Sequence, residues 1–500
     1  MALENLKTAL QSEEAKALAW RMSLDAWATD QQAHGEKVKI FRDYADGNHD
    51  AKLTEEMKKM LRVGTSDFDR FNDNYMGIVI DTMVDRLRVT GFKTDSEPAD
   101  AWITTILEAN RFDALQTDTH EAAIRDGNTY LLATWDNDLK QVVLSHEPAW
   151  DGTSGMLVVH NPQNKVVLGV KSWQEQLGEV TRVNLYYADH IERYVGQGSA
   201  ALMPYTAPDG TPPRSPWLLT SGEPIGCPVI HLPNRGTTWN AYGLSEIENA
   251  IPLQNVVNRI LHSMVMTGEL AAFPVRYAIG FTPPAGLTPG MWIIASGNAP
   301  LTTDQRIEMG MMQQAELTPY IEMARWATAE IGKITRTPAP EFMGSDNASG
   351  EALKQREIGL LGKVKRFQIK GGNRWEDTLK LAARVQTAFG AQNAPDFKTI
   401  TAQWADAELR NDKTIGENAK ILADLGYAEE ALRAMAPVFG WDEAKIINIL
   451  AQKLANDSAK LTTFGNMLPP ITGASFGLTP AAGNGNGAAL QPQETGVENG

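Results

Sequence analysis

The 500-residue sequence has one cysteine, Cys227, so no disulfide can form within one chain. A lone cysteine followed by Pro228, Val229 and Ile230 is typical of a small buried apolar residue, and its scarcity fits a reducing compartment. The amino-terminal stretch carries acidic residues and no apolar segment. We therefore expect no secretory signal peptide.

Two common nucleotide-binding motifs are also absent. The sequence contains no G-x-x-x-x-G-K-[ST] phosphate loop and no G-x-G-x-x-G. His120-Glu121 begins like a zinc-protease helix, but position 124 is Ile124 and not a second histidine. We therefore expect no enzyme activity, no metal and no cofactor.

Long hydrophobic runs are limited to residues 277–303, a stretch without a charge. This stretch is long enough to cross a bilayer, but it contains Pro283, Pro284, Pro289 and Pro300. Because proline interrupts a helix, the stretch cannot be one membrane-spanning helix. We expect no membrane association.

Acidic residues outnumber basic ones, 61 to 46, which gives a net charge of −15. This balance argues against a protein that coats DNA, because such a protein needs a basic surface to displace counterions. It does not exclude a surface that DNA passes without binding. A chain of this length predicts two to four sub-domains.

Hydrophobic spacing predicts an α+β fold that is mostly helical. Amphipathic helices are expected over residues 1–34, ending at His34-Gly35, and over residues 66–89, capped by Ser66/Asp67 and stopped by Gly91. Residues 100–127 are expected to be helical too. The period then changes to two and predicts a mostly antiparallel sheet with strands at residues 129–134, 141–145, 166–173, 182–187, 191–195 and 228–232.

A central stretch follows, in which helices alternate with Pro/Gly-rich segments. Residues 244–270 predict a helix with Ser245 and Glu248 as a capping box, in which Pro252 produces a kink or marks the true first turn. A second helix is expected from Thr318. The 16-residue loop 335–350 is longer than compact helical bundles need, and is either a surface connector or a mobile functional element.

The long helix predicted from Gly350 is basic in its first half. Seven Lys/Arg and one acid, Glu357, lie between Lys354 and Arg374. This pattern fits a solvated face, a contact for acidic partners or a contact for phosphates. Gly371-Gly372 is expected to bend or break the helix.

The carboxyl-terminal part predicts a short strand or link at residues 397–411 and helices over residues 415–455. Residues 465–500 contain no Lys or Arg and are rich in Gly and Pro. This composition predicts a disordered tail.

The order of several motifs within residues 41–383 resembles the portal proteins of tailed bacteriophages, the siphophage-type head-to-tail connectors. The motifs are FRDYADGNH, NYMGIVIDTMVDRLRVTGF, HEAAIRDGNTYLLATWD, PVIHLPNRGTTWNAYGLSEIENAIPLQNVVNRIL and SGEALKQREIGLLGKVKRFQIKGGNRWEDTLKLA. Each motif alone is weak, and their order and spacing make the resemblance specific.

This resemblance implies a ring, typically of twelve subunits, at one vertex of the capsid. It implies a wing (1–243), stem helix 1 (244–271), a clip (272–305), stem helix 2 (306–334), a tunnel loop (335–350), a long bent helix returning to the wing (351–411), a helical crown (412–464) and a disordered tail (465–500).

The same resemblance implies site residues and partners. The tunnel loop and DNA channel would involve Arg336, Glu341, Phe342, Met343, Asn347, Lys354 and Arg356. The clip would contact the terminase or adaptor through Tyr277, Phe281, Pro283, Pro284 and Trp292. Partners would be identical subunits, double-stranded DNA, the terminase large subunit, major capsid and scaffolding proteins and a head-tail adaptor, with assembly in the host cytoplasm and a final place in the virion. The alternatives are a capsid or adaptor protein without a DNA channel and a soluble hydrolase with an unrecognised site.

Overall fold

The computed structural model describes residues 24–49, 72–161, 163–175, 180–197, 202–208, 210–237, 240, 242–272, 276–279, 292–295, 308–311, 316–338, 342, 350–408, 412–439, 445–453 and 455. The chain divides into two compact units, Met1–Glu408 and Leu409–Gly500. The predicted mixture of helices with a mostly antiparallel sheet is confirmed.

In the first unit the helices are α1 (Leu24–Ala45), α2 (Tyr75–Val84), α3 (Glu97–Ala109), α4 (Phe112–Asp126), α5 (Ile251–Ala272), α6 (Thr318–Thr335) and α7 (Gly350–Phe389). The strands are β1 (Val89–Thr94), β2 (Asn128–Asp136), β3 (Gln141–Glu147), β4 (Gly155–His160), β5 (Val166–Glu175), β6 (Val180–Tyr186), β7 (His190–Gln197), β8 (Met203–Pro204), β9 (Arg214–Pro216), β10 (Val229–Pro233), β11 (Arg276–Ile279), β12 (Trp292–Ala295), β13 (Glu308–Met311) and β14 (Ile400–Trp404).

The described strands form four sheets. A six-stranded antiparallel sheet has the order β4-β5-β6-β7-β8, with β9 also paired to β7, and a three-stranded sheet has the order β10-β2-β3. Strand β1 pairs antiparallel with β14, which follows α7 in the chain. In the small sheet β12-β11-β13, β11 is parallel to β12 and antiparallel to β13.

The main core lies between the β10-β2-β3 sheet and the helices that cover it. Strand β2 is buried over its first six residues and packs against both α4 and α7. A second, smaller core fills the other side of the six-stranded sheet around Trp150 and Leu157. Helix α7 also packs against β14, so this 40-residue helix connects two sheets.

His120 lies at the centre of the main core. Its Nδ1–H donates to the Leu87 carbonyl at 2.9 Å, and its Nε2 accepts from the indole N–H of Trp375 at 3.0 Å. The rings of Phe367 and Trp404 pack on it, with centroids 5.4 and 5.5 Å away. The histidine therefore ties α4 to α7 in its neutral form.

Two glycine-based predictions are wrong, and a third is wrong in part. Helix α1 runs through Gly35, whose Cα lies so close to the backbone of Gly152 that a Cβ would meet its nitrogen at 2.6 Å. Gly91 lies inside strand β1 and stops no helix. Helix α7 continues through Gly371-Gly372, so of the predicted bend or break the break is wrong. A Cβ at Gly372 would lie 3.2 Å from the indole nitrogen of Trp404. At Gly35 and Gly372 the absence of a side chain therefore permits close packing.

Helix boundaries also differ from prediction. Helix α2 begins at Tyr75, where Asn74 accepts from two backbone N–H groups, and it ends at Val84. The predicted caps at residues 66 and 67 lie outside the described residues. Residues 397–411 do contain the expected strand, β14.

The second unit, described by itself, contains α8 (Asp412–Asp424), α9 (Ala428–Phe439) and a helical stretch at residues 445–453. Helices α8 and α9 pack against each other. This agrees with the helices expected over residues 415–455, while the tail 465–500 lies outside the described residues. Among the described helices, none combines the length and apolar character that crossing a bilayer requires.

The burial of His120 predicts an acid-sensitive core. Burial lowers the pKa of His120 to about 4, whereas an unfolded histidine titrates near 6.5. The unfolded state therefore binds a proton first, and stability is complete above about pH 6.5 and falls as pH drops toward 4, by roughly 3 kcal/mol for this group. We expect His120→Gln to remove this component. Urea unfolding followed between about pH 7 and pH 4 checks it, and parallel pH profiles for the two proteins would contradict it.

Candidate functional site at the junction of three helices

Helix α6 ends in a tight reversal of the chain. Arg336 adopts a left-handed conformation with φ of 57°, and its N–H and that of Thr337 turn back to carbonyls in the last turn. Thr335 and Thr337 are both buried, and their hydroxyls are 3.0 Å apart. The side chain of Arg336 lies over Gly359 of α7. Arg336 and Thr337 are therefore held in a defined conformation at the end of α6.

A buried ion pair holds this reversal. The ammonium of Lys363 on α7 lies 2.7 Å from the carboxylate of Glu246 and donates to the Thr335 carbonyl at 2.5 Å. The side chains of Lys363 and Glu246 are 6% and 2% exposed. Burial lowers the pKa of Lys363, and the nearby Glu246 carboxylate opposes that shift. One ammonium thus joins α7, the end of α6 and the turn that precedes α5.

Further polar groups complete the junction. Glu246 also accepts from the Asn234 amide at 3.0 Å and lies 3.8 Å from Arg235, both of which follow β10. Six residues before Lys363, Glu357 lies 3.5 Å from Arg86, with both side chains 10% exposed. Buried charges are stable only when paired in this way. The junction is therefore tied to both the sheet and α2.

Phe342 returns the chain to the side of α6. Its ring contacts Gly332, where a Cβ would lie 3.3 Å from Cε2, and meets Tyr75 edge to face at 5.6 Å. A cleft of about 570 Å³ lies beside it and is lined by Met264 of α5 and by Arg325 of α6. Residue 342 is thus fixed at the base of the helix pair.

Helix α5 is held by the FRDYADGNH segment. His49 donates through Nε2 to the Tyr44 carbonyl, and its Nδ1 accepts from the Asn258 amide at 2.8 Å. The Tyr44 hydroxyl donates to Asn255 at 2.7 Å. Gly47 has φ of +74°, so the turn that brings His49 back requires glycine. The Tyr-x-x-Gly-x-His spacing is therefore a clamp on α5.

The start of helix α5 differs from prediction. Residues 244–250 are turns, and α5 begins at Ile251 with Pro252 in its first turn, so that of the two predicted alternatives Pro252 marks the true start. Ser245 donates to the Arg125 carbonyl and does not cap α5. Helix α6 begins at Thr318 as expected, although residues 308–311 form strand β13 and not part of stem helix 2.

The seven basic residues of α7 do not form one basic face. Lys363 is buried in the junction, and Lys370 donates to the Gly236 carbonyl at 2.7 Å. Arg374 lies 3.4 Å from Asp377. Lys363 therefore lies outside any exposed basic face, and contact of the other cations with phosphates stays a prediction.

The structure brings Arg336 and Phe342 to the junction. Tyr277 and Trp292 lie on the neighbouring parallel strands β11 and β12. For Lys354 and Arg356 the backbone of α7 is described. Glu341, Met343, Asn347, Phe281, Pro283 and Pro284 lie outside the described residues.

Sequence reasoning missed the Lys363–Glu246 pair. Lys363 was grouped with its basic neighbours, although it stands between Leu360/Leu361 and Val364 at helical core spacing. That position was the available signal for burial. Nothing in the sequence indicates that Glu246, 117 positions earlier, is its partner.

Among the described residues, no group of three or more His, Cys, Asp or Glu side chains is arranged to hold a metal ion. Cys227 as a whole residue is half-buried. Its thiol group is buried, and this burial raises the pKa of Cys227 to about 12. Its Sγ donates to the Tyr186 carbonyl. The junction consists of paired charges and packed rings.

Comparison with known proteins gives consistent matches. A family model described as "Phage portal protein, SPP1 Gp6-like" matches residues 36–456. The portal protein of Mycobacterium phage D29 is 26% identical over 346 residues, which cover 66% of this chain and 68% of that protein. The portal protein of Mycobacterium phage L5 is 27% identical over 240 residues, covering 43% and 48%. A solved structure described as "Neck of empty GTA particle computed with C6 symmetry" has a TM-score of 0.41 at 13% identity, covering 75% of this chain and 90% of that chain.

The buried pair predicts a clear pattern of mutational effects. Lys363→Met leaves the Glu246 carboxylate buried without its ammonium, and we expect a loss of about 3–5 kcal/mol of unfolding free energy. Adding Glu246→Leu removes the stranded charge, so the double variant is expected to recover part of that loss. Urea unfolding of the two single variants and the double variant measures the coupling. Additive effects of the two substitutions would contradict the pairing.

Proposed function

Because this chain belongs to the SPP1 Gp6-like family of phage portal proteins, we propose that it assembles into a ring at one vertex of a tailed-phage capsid and forms the channel through which DNA is packaged and ejected. The observation that carries the proposal is the family match over residues 36–456. The role is structural and needs no cofactor, and the energy for DNA movement comes from a separate terminase.

The pair α5 and α6 is suited to be the stem. The helices pack along each other, with 22 and 18 residues, roughly 33 and 27 Å at about 1.5 Å per residue. After α5 the chain enters the small sheet β12-β11-β13. At its other end the pair is bounded by the junction, where α6 ends. An insert at one end and an anchored loop at the other correspond to a clip and a tunnel loop.

The other segments take the remaining roles. The region 1–243 is the wing, residues 272–305 together with β13 are the clip, residues 351–411 return to the wing, and residues 412–464 are the crown. In the clip, Tyr277, Phe281, Pro283, Pro284 and Trp292 contact the terminase large subunit and later the head-tail adaptor. Capsid and scaffolding proteins contact the ring during assembly in the host cytoplasm.

The loop 335–350 faces the DNA. Its first residues are fixed by Lys363, and Phe342 is held against Gly332 and Tyr75, so the loop has a rigid base. We assign Glu341, Met343 and Asn347 of the same loop to the DNA channel. Arg336, exposed at the reversal, and Lys354 and Arg356 of α7 supply positive charge for brief phosphate contacts. The acidic balance of the whole chain limits the binding of DNA elsewhere.

An apolar face on α6 supports contact between neighbouring subunits. Met323, Trp326 and Ile334 recur at helical spacing and are 53%, 58% and 49% exposed. This face lies beside the buried stripe of Ala327 and Ile331, which packs in the core. We assign the face to the ring interface, where a second copy covers it. Each such side chain contributes about 1.5–3 kcal/mol when fully buried.

A first prediction concerns the loop. Deletion of residues 342–347 leaves α5, α6 and the ion pair in place, so rings are expected to form normally. DNA packaging or retention is expected to fall, because the loop no longer reaches the DNA. Negative-stain images and an in vitro packaging assay measure the two effects, with deletion of residues 484–489 in the tail as control. Normal packaging by the loop variant would remove this role.

A second prediction concerns the α6 face. Met323→Glu with Trp326→Glu places charges in the proposed interface, and we expect rings to give way to smaller species in light scattering. Met203→Glu is the matched control, since Met203 is 67% exposed on β8. Rings of unchanged size and yield from the α6 variant would show that this face lies outside the interface.

A further inference from the structure

A cleft of about 800 Å³ lies between α7 and the strands β5 and β10, away from the junction and the stem. Five cationic side chains line it, and two carboxylates accompany them. The cations are Lys165, Lys370, Arg374, Lys380 and Arg384, and the carboxylates are Glu376 and Asp377. The cleft is therefore positive in a chain whose net charge is −15.

The charge of these cations is only partly neutralised. Lys370 and Arg384 donate to the backbone carbonyls of Gly236 and Pro224, each at 2.7 Å, and a carbonyl carries no formal charge. Lys165 and Lys380 are exposed, and no carboxylate of the described residues forms an ion pair with either of them within 4.0 Å.

Both carboxylates are already engaged. Glu376 accepts from the Ala402 N–H at 3.2 Å, and Asp377 lies 3.4 Å from Arg374. Five cations and two carboxylates among the described residues therefore leave the cleft a formal net charge of +3.

The scaffold of the cleft is rigid. Lys370, Arg374 and Arg384 recur at helical spacing on α7, which is anchored below them by the buried Trp375 and Leu379. Strand β10 forms the opposite side and is hydrogen-bonded along its length to β2. In the lining of the cleft, Nε2 of His160 lies 3.1 Å from Nδ1 of His231. Such a fixed arrangement of donors is preorganised for a ligand.

The lining favours a peptide over nucleic acid. Val166 and Ile230 are only partly buried and line the same cleft as the cations. An acidic peptide offers both carboxylates for the cations and aliphatic groups for this apolar part. A DNA duplex offers phosphates for the cations but no aliphatic side chains for this apolar part. We propose that the cleft binds a short acidic segment of a partner protein through its side-chain carboxylates.

The test uses the full-length protein and a fluorescein-labelled decapeptide rich in Glu and Val. Fluorescence anisotropy is measured at low and at physiological salt. The same peptide with Gln in place of Glu is the ligand control, and a 20-nucleotide single strand and a 20-base-pair duplex are the nucleic-acid arms. We expect the glutamate peptide to bind and the glutamine peptide not to bind.

The variants locate the binding. Lys380→Glu with Arg384→Glu is expected to weaken binding of the glutamate peptide by about tenfold or more. Lys165→Glu, on the other side of the cleft, is expected to weaken it as well. Lys365→Glu with Arg366→Glu, on an exposed part of the same helix, is the matched control and is expected to leave binding unchanged.

Three results would overturn the proposal. The first is that the unmodified protein does not bind the glutamate peptide. The second is that the cleft variants and the control variant lose peptide affinity equally. The third is that the cleft variants lose DNA binding while their peptide binding is unchanged. None of these measurements requires ring assembly or DNA packaging, so their failure is separate from a failure of the proposed portal function.

Discussion

The structure depends on one buried interaction, the ion pair of Lys363 and Glu246. An ammonium removed from water is costly unless a carboxylate and further acceptors surround it. Here the acceptors are Glu246 and the carbonyl of Thr335, so the pair forms only when α7, the end of α6 and the turn before α5 meet. The pair contributes specificity of arrangement more than net stability. The loop that follows α6 starts from a fixed point for this reason.

A second polar network holds helix α5, which packs against α6. His49, Tyr44 and Asn258 connect the FRDYADGNH segment to α5, and Gln254 connects α5 to the backbone of Tyr75. The FRDYADGNH segment therefore packs with α5 and stabilises its position through side-chain hydrogen bonds. A force transmitted along α5 and α6 would reach the sheets through these side-chain hydrogen bonds and through α7.

Local pattern predicted most of the described helices and half of the described strands, because period and turn residues determine them over short distances. It failed where a distant contact decides the outcome. Gly35 and Gly372 look like helix stops, yet each lets another segment approach closely. Lys363 looks like a solvated cation, yet it is buried against a residue far away in the chain. The order of motifs indicated the family, whereas the partners of single side chains required the fold.

The most direct test of this account is a high-resolution cryo-electron microscopy map of the purified, assembled protein. The account predicts a closed ring in which α5 and α6 surround the axis, residues 335–350 of every subunit lie at the narrowest part of the channel, and Lys363 contacts Glu246 at the base of each loop. Monomers, open assemblies, or a ring whose channel is lined by another segment would contradict it.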